Sequence, residues 1–336
     1  MEFKNFQKRL TPVLSLLIAI SAAIFFISGV SYAANPAEKS PGAPFFYPAP
    51  RQKTSELFQK TDVEYPFTFV VYGDSREPAG YEKDVIIERI IKERPSFVVH
   101  TGDMVLYGEE HQWKIFDIFE GKIIDRGISF YPVLGNHEYH TREKSHPPDP
   151  DKRLKHYFNR FKYIREKRWY SFEYGNSLFI ILDTNTDYSS ESYQYKWLMK
   201  KLKGESPIFL FIIFHHPPYT KADMYKVNRS KSERFLAGIF ESYKEKNLAK
   251  VDIVFSGHVH NYERYRYNGI NYIVTGGGGA PQHSINRNPD DFYTGEGTSY
   301  HYCKITVSRT KATFEMIKLD EDTGKWVIAD VFTISK

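Results

Sequence analysis

Apolar runs alternate with amphipathic segments from about residue 65 onward. The runs FTFVVYG, SFVVHTG and SFYPVLG have the length and composition of buried strands, and EKDVIIERIIKE between the first two has the apolar spacing of a helix. A second helical pattern covers residues 110–125. Strand-like and helix-like segments that alternate in this way predict an α/β sheet.

The alternation continues in the second half of the chain and then stops. WYSFEYG and SLFIILD predict an adjacent strand pair, PIFLFIIF and VDIVFSG predict two buried strands, and helices are predicted around residues 191–203 and 230–246. Beyond residue 262 the patterns are those of strands alone. We therefore predict one domain over residues 65–336, in which two sheets stack and helices lie outside them.

The first 64 residues have a different character. A basic head is followed by an apolar run that ends at SYAA, which predicts that residues 1–33 are a secretory signal or an uncleaved N-terminal anchor. Both remain open, because the apolar run within residues 12–30 is near the minimum length for a membrane span and could act as a tether. Residues 34–64 are rich in proline and predict an extended linker. Either way the domain is expected outside the cytoplasm, periplasmic or secreted.

Charge and cysteine content exclude some functions. The formal net charge is +5, part of it in the basic head, and the weak excess that remains argues against a dedicated nucleic-acid binder. The single cysteine, Cys303, excludes an intramolecular disulfide and a zinc site built on thiolates. Any metal must therefore be held by nitrogen and oxygen atoms.

Polar residues with metal-binding chemistry follow one predicted strand after another. They are Asp74, Asp103, the run Asn136-His137-Glu138, Asp183, the pair His215-His216, and the pair His258 and His260. Each is ordinary by itself, since a Gly-Asp pair after a strand is often only a turn. Because the ends of strands in α/β sheets converge on one edge, the whole set indicates a common site.

The ordered motifs GD, GD, GNHE, HH and GHVH resemble the calcineurin-like metallophosphoesterase superfamily over most of residues 66–280. The GNHE motif, the HHPPY segment and the TGGGGAP loop at residues 275–281 are similar to the purple acid phosphatase branch. This resemblance implies a four-layer α/β/β/α sandwich, with two mixed sheets flanked by helices, that binds two metal ions. The glycines of the loop are expected to let its backbone approach the cleft.

The resemblance also implies which residues bind the metals. Asp103 would bridge two divalent or trivalent ions, Asn136, His215 and His258 would complete one site, and Asp74 and His260 would belong to the other. Nitrogen and oxygen ligands without thiolate suit zinc, manganese or iron.

One position departs from the family pattern. Much of the superfamily has Asp-x-His at the first motif, but here the third residue is Arg76, which cannot bind a metal. Purple acid phosphatases have a tyrosine three residues after the bridging aspartate, where this chain has Leu106, with Tyr107 one residue beyond. Arg76 could form an ion pair on the surface or beside the site, or it could bind phosphate. Tyr107 could turn into the first site; otherwise this site would have three protein ligands and additional water.

The implied activity is hydrolysis of phosphate esters by a metal-bridging hydroxide, with small phosphomonoesters, phosphodiesters or nucleotides as substrates. His137 is the candidate for protonating the leaving oxygen or stabilising charge on the phosphoryl group, and Glu138 is expected to orient it by a hydrogen bond. His216 is expected to face the substrate or solvent, and Asp183 to orient a histidine ligand. His283 is assigned to the surface or to local packing.

The competing hypothesis, motivated by Arg76, is a degenerate, non-catalytic protein that binds phosphorylated ligands or an envelope partner.

Overall fold

A computed structural model describes residues 56–76, 81–143, 150–204, 206–222, 229–297 and 299–336. The strands in this part of the chain are β1 (Glu56–Lys60), β2 (Phe67–Tyr72), β3 (Phe97–His100), β4 (Ser129–Pro132), β5 (Tyr170–Tyr174), β6 (Ser177–Ile181), β7 (Phe209–Ile213), β8 (Val251–Ser256), β9 (Tyr262–Tyr267), β10 (Ile270–Thr275), β11 (His301–Val307), β12 (Lys311–Asp320) and β13 (Lys325–Ser335).

The helices in the same ranges are α1 (Tyr81–Glu93), α2 (Glu110–Phe119), α3 (Gly121–Asp125), α4 (Pro150–Arg160), α5 (Tyr193–Gly204) and α6 (Arg229–Glu245), with a 3-10 turn at Lys162–Ile164. The segment predicted as one helix over residues 110–125 is two helices, because the chain turns at Glu120, whose side chain is fully buried.

The strands form two mixed sheets. One has seven strands in the order β1-β5-β6-β7-β8-β10-β9, and the other has six in the order β13-β12-β11-β2-β3-β4. Strands β2, β3 and β4 are parallel in the second sheet, and β6, β7 and β8 are parallel in the first. The predicted sandwich of two mixed sheets flanked by helices is confirmed.

The core lies between the sheets and under the helices. Phe69 of β2 contacts Phe179 of β6 with ring centroids 5.0 Å apart, so aromatic side chains fill the space between the sheets. Strand β7 is buried on both faces: Phe211 belongs to the inter-sheet core, whereas Ile212 packs in the cluster that includes Leu198 of α5 and Leu236 of α6. This double burial explains why the strand is apolar at every position, since strands covered on both faces lose the polar alternation.

One feature differs from the expectation for the N-terminal segment. Strand β1 lies within residues 34–64, the predicted linker, and pairs with β5 in parallel, so the folded part of the chain begins before residue 65. Residues 1–55, which hold the predicted signal or anchor and most of the linker, lie outside the described residues. Among the helices described above, none has both the length and the apolar character needed to cross a membrane.

Candidate metal centre and active site

The strands that lead into the site end level with one another. In the six-stranded sheet Tyr72 pairs with His100, and His100 pairs with Pro132, so β2, β3 and β4 end side by side. In the seven-stranded sheet Ile213 of β7 is in register with Phe255 of β8. The turns that follow these five strands therefore meet at one edge of the sandwich, and they carry the polar residues predicted from the sequence.

Three of these turns have unusual backbone conformations. Asp74, Asp103 and His258 have φ values of 58°, 58° and 67°, in the left-handed region that residues other than glycine seldom adopt. The glycines that precede them leave no room for a side chain: at Gly257, for example, a Cβ would lie 2.4 Å from Asp74 Oδ2. Backbone strain of this kind is typical of functional sites, where the surrounding structure holds it in place.

The glycine-rich loop supports the first of these turns. Gly278 N donates to Gly73 O at 2.8 Å, and Ala280 N donates to Asp74 O at 2.9 Å. A Cβ at Gly278 would lie 2.3 Å from Gly73 O, so only glycine allows this approach. The loop backbone thus reaches the edge of the cleft, as predicted, and fixes the turn that carries Asp74.

Hydrogen-bond acceptors converge around His215. Its Nδ1 lies 2.9 Å from Thr101 O, a carbonyl that can only accept, so Nδ1 carries the hydrogen and Nε2 of the neutral ring has a lone pair. Nε2 lies 3.1 Å from Asn136 Oδ1, 3.2 Å from His258 Nδ1 and 3.3 Å from Asp103 Oδ1. The oxygens of Asn136 and Asp103 cannot donate to this lone pair, so a proton or a cation at this point would give the three atoms a common partner.

The spacing of these atoms fits a metal ion. Ligands bound at about 2.0 to 2.3 Å to a single tetrahedral or octahedral ion are themselves about 3.0 to 3.5 Å apart. The hydrogen bond from His215 to a backbone carbonyl is the usual arrangement that orients a metal-binding imidazole. Asn136, His215, His258 and Asp103 can therefore hold one ion.

A second group of donor atoms lies beside the first. Asp74, Asp103 and His260 each offer an atom within 4.8 Å of the others, and His260 Nε2 is 3.6 Å from Asp74 Oδ1. His260 Nδ1 lies 2.7 Å from Pro281 O, which leaves Nε2 as the ligand atom, as in His215. Asp103 belongs to this group and also contacts His215 of the first group. It therefore lies between the two groups, where a bridging carboxylate must lie.

The charges in the site perturb one another. Burial raises the pKa of Asp74 well above its ordinary value, and the neighbouring Asp103 adds to this effect. Burial acts the same way on Asp103, but His215 and His137 hold its pKa well below the ordinary value. Burial alone would lower the pKa of His215, yet the Asp103 carboxylate raises it to about 9. Two buried carboxylates thus draw positive charge to this point, which a metal centre would supply.

Arg76 lies inside the site. Its Nε is 3.8 Å from Asp103 Oδ2, and only 16% of its side chain is exposed. Arg76 also contributes to the lowered pKa values of His137 and His260, about 4 and about 3, in which burial is the largest cause. A surface ion pair is therefore excluded, and Arg76 forms an ion pair with Asp103 inside the site, from which it can also face a bound phosphate.

His137 is in the site, but the expected contact with Glu138 is wrong. His137 Nδ1 lies 2.8 Å from Leu106 O, and its Nε2 faces Asp103 Oδ2 at 3.8 Å. The Glu138 carboxylate instead accepts the backbone N–H groups of Asp103 at 3.0 Å, Met104 at 2.7 Å and Gly135 at 2.7 Å. Glu138 therefore holds the turn that presents Asp103. Burial raises the pKa of Glu138 to about 7.

His216 and Asp183 also differ from expectation. His216 forms a group of nearby nitrogen donors with His215 and His258, so it lies among the candidate ligands as well as beside the cleft. The hydroxyl of Tyr139 donates to Asp183 Oδ2 at 2.5 Å, and Asn185 donates to Oδ1 through its backbone and its side chain. Asp183 therefore stabilises a loop rather than orienting a histidine.

His283 is a residue of the site that the sequence did not reveal. Its ring stacks on that of His260 with centroids 4.0 Å apart, and His260 N donates to His283 Nδ1 at 3.1 Å. The sequence predicts only a surface or local packing role for it, because it does not follow a predicted strand. Hydrogen bonds between the two loops bring it there, and no pattern in the sequence signals them.

Comparison with known proteins agrees with this geometry. The model of the family described as calcineurin-like phosphoesterase matches residues 67–262, more than half of the chain, and the chain belongs to this family. The match covers all five strand ends described above. The resemblance inferred from the motifs is thereby confirmed.

Curated relatives place the chain near the purple acid phosphatases. A purple acid phosphatase of Glycine max is 26% identical over 235 residues, which are 65% of this chain and 48% of that protein. A phosphoenolpyruvate phosphatase of Allium cepa is 25% identical over 234 residues, 64% of this chain and 45% of that protein. An Fe(3+)-Zn(2+) purple acid phosphatase 12 of Arabidopsis thaliana is 26% identical over 235 residues, 65% and 48% respectively. The chain spans about half the length of these relatives.

Solved structures share the fold. A purple acid phosphatase from yellow lupin (Lupinus luteus) seeds has a TM-score of 0.61 at 22% identity, over 82% of this chain and 55% of that chain. GAP50, described as the anchor in the inner membrane complex of Plasmodium, has a TM-score of 0.54 at 17% identity, over 80% and 88%. At these identities the likeness shows the architecture alone.

Proposed function

We propose that the chain is a metal-dependent phosphoesterase that hydrolyses small phosphomonoesters or phosphodiesters, nucleotides among them. The observation that carries the proposal is the convergence of Asn136, His215, His258 and Asp103 at ion-binding distances, next to the group of Asp74 and His260. Two such groups that share a carboxylate are typical of binuclear hydrolases. The family and the relatives described above support the same chemistry.

The roles of the residues follow from their positions. Metal ions, when bound, supply an activated water and offset the charge of the phosphate. Asp103 would hold both ions, and the left-handed turns would keep the ligand side chains from rearranging. The guanidinium of Arg76 beside Asp103 would bind phosphate oxygens, since its planar fork matches their geometry. His137 Nδ1 donates to Leu106 O, so Nε2 of the neutral ring, turned toward Asp103, has a lone pair and would donate to the leaving oxygen or the phosphoryl group only after it takes up a proton.

A cavity next to the site has room for the rest of the substrate. It measures about 560 Å³ and is lined by Asn261, Gln282, His283 and Arg287, among other residues. His283 belongs both to this cavity and to the stack with His260. Cavities of about 300 to 1,000 Å³ accommodate small organic molecules, so the leaving group would lie here.

The location of the enzyme is also a proposal. The basic head and apolar run of residues 1–33 support export, either as a cleaved signal or as an anchor. An exported phosphoesterase would act on esters in the periplasm or outside the cell. Comparing the N-terminus of the mature protein with the printed sequence distinguishes the signal from the anchor.

A second candidate is a non-catalytic protein of the same fold. The observation that favours it is Arg76, which stands where the family motif has a metal ligand. GAP50 shows that a protein described as an anchor can have this architecture. The two candidates make different predictions for metal content and turnover.

The test uses the purified full-length chain. Bound metal is measured by elemental analysis, and hydrolysis of para-nitrophenyl phosphate and of its bis-ester is measured with added manganese, zinc or iron. Two equivalents of metal with turnover are expected for the phosphoesterase, and the preferred ester identifies the class. Metal without turnover of any ester would indicate the binding protein. Less than one equivalent of metal and no turnover under every condition would overturn the phosphoesterase and would also indicate the non-catalytic protein, since Arg76 replaces one of the family's metal ligands.

Replacing Arg76 tests its role in binding phosphate. We expect Arg76→Ala to raise the KM for para-nitrophenyl phosphate about 10- to 100-fold, because a charge-assisted hydrogen bond contributes about 1.5 to 3 kcal/mol. Metal content should be unchanged, since a guanidinium does not bind metal. The matched control is Arg89→Ala, which removes an arginine of α1 that pairs with Glu93 outside the site. Loss of one equivalent of metal in Arg76→Ala would show that Arg76 supports the metal site instead.

A further inference from the structure

Four polar side chains form a buried network behind the turn that carries Asp74 and Arg76. They are Ser75, Lys83, His100 and Glu120, each no more than 2% exposed. Ser75 Oγ donates to Glu120 Oε1 at 2.5 Å and lies 3.0 Å from His100 Nε2. Lys83 Nζ is 3.0 Å from the same Glu120 oxygen. Such a cluster is costly to bury unless its members satisfy one another.

The direction of each hydrogen bond can be assigned. The backbone N–H of Gly102 donates to His100 Nδ1 at 3.2 Å, so Nδ1 has no hydrogen in the neutral ring and Nε2 carries it. Nε2 therefore donates to Ser75 Oγ, and the serine hydrogen goes to Glu120. Burial and the charge of Lys83 hold the pKa of His100 well below its usual value, in agreement with a neutral ring. The chain of donors runs from Gly102 through His100 and Ser75 to Glu120.

This chain connects two turns of the candidate metal centre. Gly102 precedes Asp103, and Ser75 stands between Asp74 and Arg76. Its far end is anchored by Glu120, at the junction of α2 and α3, and by Lys83 on α1. The second oxygen of Glu120, Oε2, is buried without a partner among the described residues, so the carboxylate depends on Ser75 and Lys83. The serine is the only member that touches both the histidine and the glutamate in the described network.

We propose that Ser75, His100, Glu120 and Lys83 are positioning residues that hold the Asp74–Arg76 turn at a fixed distance from the Gly102–Asp103 turn, and so place the Arg76 guanidinium beside Asp103. The inference rests on the proposed function, because it assigns the network to phosphate binding through Arg76. Among the described residues, the hydrogen bonds and the ion pair of the network join its own members and the backbone of Gly102, so it would act on the two turns through their backbone.

A double-mutant cycle tests this inference. The affinity of the metal-loaded chain for inorganic phosphate is measured by calorimetry, together with KM and kcat for para-nitrophenyl phosphate. We expect Ser75→Ala to weaken phosphate binding about 5- to 10-fold and to raise KM similarly, because a hydrogen bond that holds the turn is lost. The same change made in Arg76→Ala should have little further effect, since the network acts through the residue already removed. A general loss of structure would weaken binding in both backgrounds.

Two further variants keep the test decisive. Ser75→Cys fills the same space with a weak hydrogen-bonding group and should reproduce the effect if the alanine variant is unstable. Ser177→Ala, which removes another buried serine hydroxyl, should leave phosphate affinity unchanged. If the wild type hydrolyses the ester, two results would overturn the positioning role. One is that Ser75→Ala does not change phosphate affinity, and the other is that it lowers phosphate affinity equally with and without Arg76. A wild type that hydrolyses no ester would instead count against the proposed function. Calorimetry would still measure how Ser75→Ala changes the affinity for inorganic phosphate.

Discussion

Asp103→Asn is expected to remove bound metal and to reduce kcat for para-nitrophenyl phosphate on the order of 10³-fold or more, because the shared carboxylate supplies charge to both groups of ligands. The asparagine keeps an oxygen that can accept the hydrogen bond from His137 N, as Asp103 Oδ1 does at 3.0 Å. The backbone of this turn should therefore keep its conformation. What is lost is the negative charge that opposes the repulsion between two cations. Elemental analysis and steady-state kinetics on the same preparation measure both effects.

The matched control for this experiment is Asp252→Asn. Asp252 is also a buried aspartate, 3% exposed, but it lies in β8 at the end of the strand opposite to His258 and pairs with Lys336. This variant tests whether replacing any buried aspartate by asparagine has the same effect on stability, metal content and activity. It should lose stability and keep its metal and its activity per folded molecule. If Asp103→Asn binds two equivalents of metal, Asp103 does not bridge the ions.

The sequence predicted the candidate ligands because their positions depend on topology alone. A residue that follows a buried strand lies at the end of that strand, whatever the details of its turn. The strands β2, β3 and β4 end in register, so Asp74, Asp103 and Asn136 must be neighbours. The same holds for the residues after β7 and β8. The fold class followed from the same alternation of strands and helices.

The contacts of Glu138 and Asp183 were not predictable in this way. A buried carboxylate accepts hydrogen bonds from the backbone N–H groups that point toward it. The dihedral angles of the turns determine which N–H groups these are. The left-handed conformation of Asp103 and the φ of 102° at Gly102 direct N–H groups toward Glu138. No spacing in the sequence encodes those angles, and the motif GNHE alone suggested the adjacent His137 as the partner.

Contacts between distant segments were also missed. Glu120 stands 45 residues from Ser75 and within a segment that reads as one continuous helix, so its burial behind the cleft has no local signal. His283 likewise reaches His260 through a loop that has no strand or helix pattern. Both residues become visible only when the turns at the sheet edge and the elements behind them are seen together. They are positions beside the candidate site that the motifs do not contain.

His137→Ala is expected to reduce kcat about 10²- to 10⁴-fold with little change in KM, the range for a group that transfers a proton or stabilises charge in the transition state. The ring is 18% exposed, and its Nδ1 is held by Leu106 O, so Nε2 has a fixed direction into the cleft. Metal content should be retained, because the backbone N–H that binds Asp103 is present in every residue except proline. His111→Ala, which removes an exposed histidine of α2, is the control.

The leaving group of the ester separates the two roles of His137. A proton donor is needed most when the leaving oxygen is a poor leaving group, so the defect of His137→Ala should be larger for an alkyl phosphate than for para-nitrophenyl phosphate. Stabilisation of charge on the phosphoryl group predicts equal defects for the two esters, since that charge is common to both. A kcat unchanged for both esters would place His137 outside the reaction, and the imidazole to test next would then be His216, which lies among the candidate ligands at the end of β7 in the other sheet.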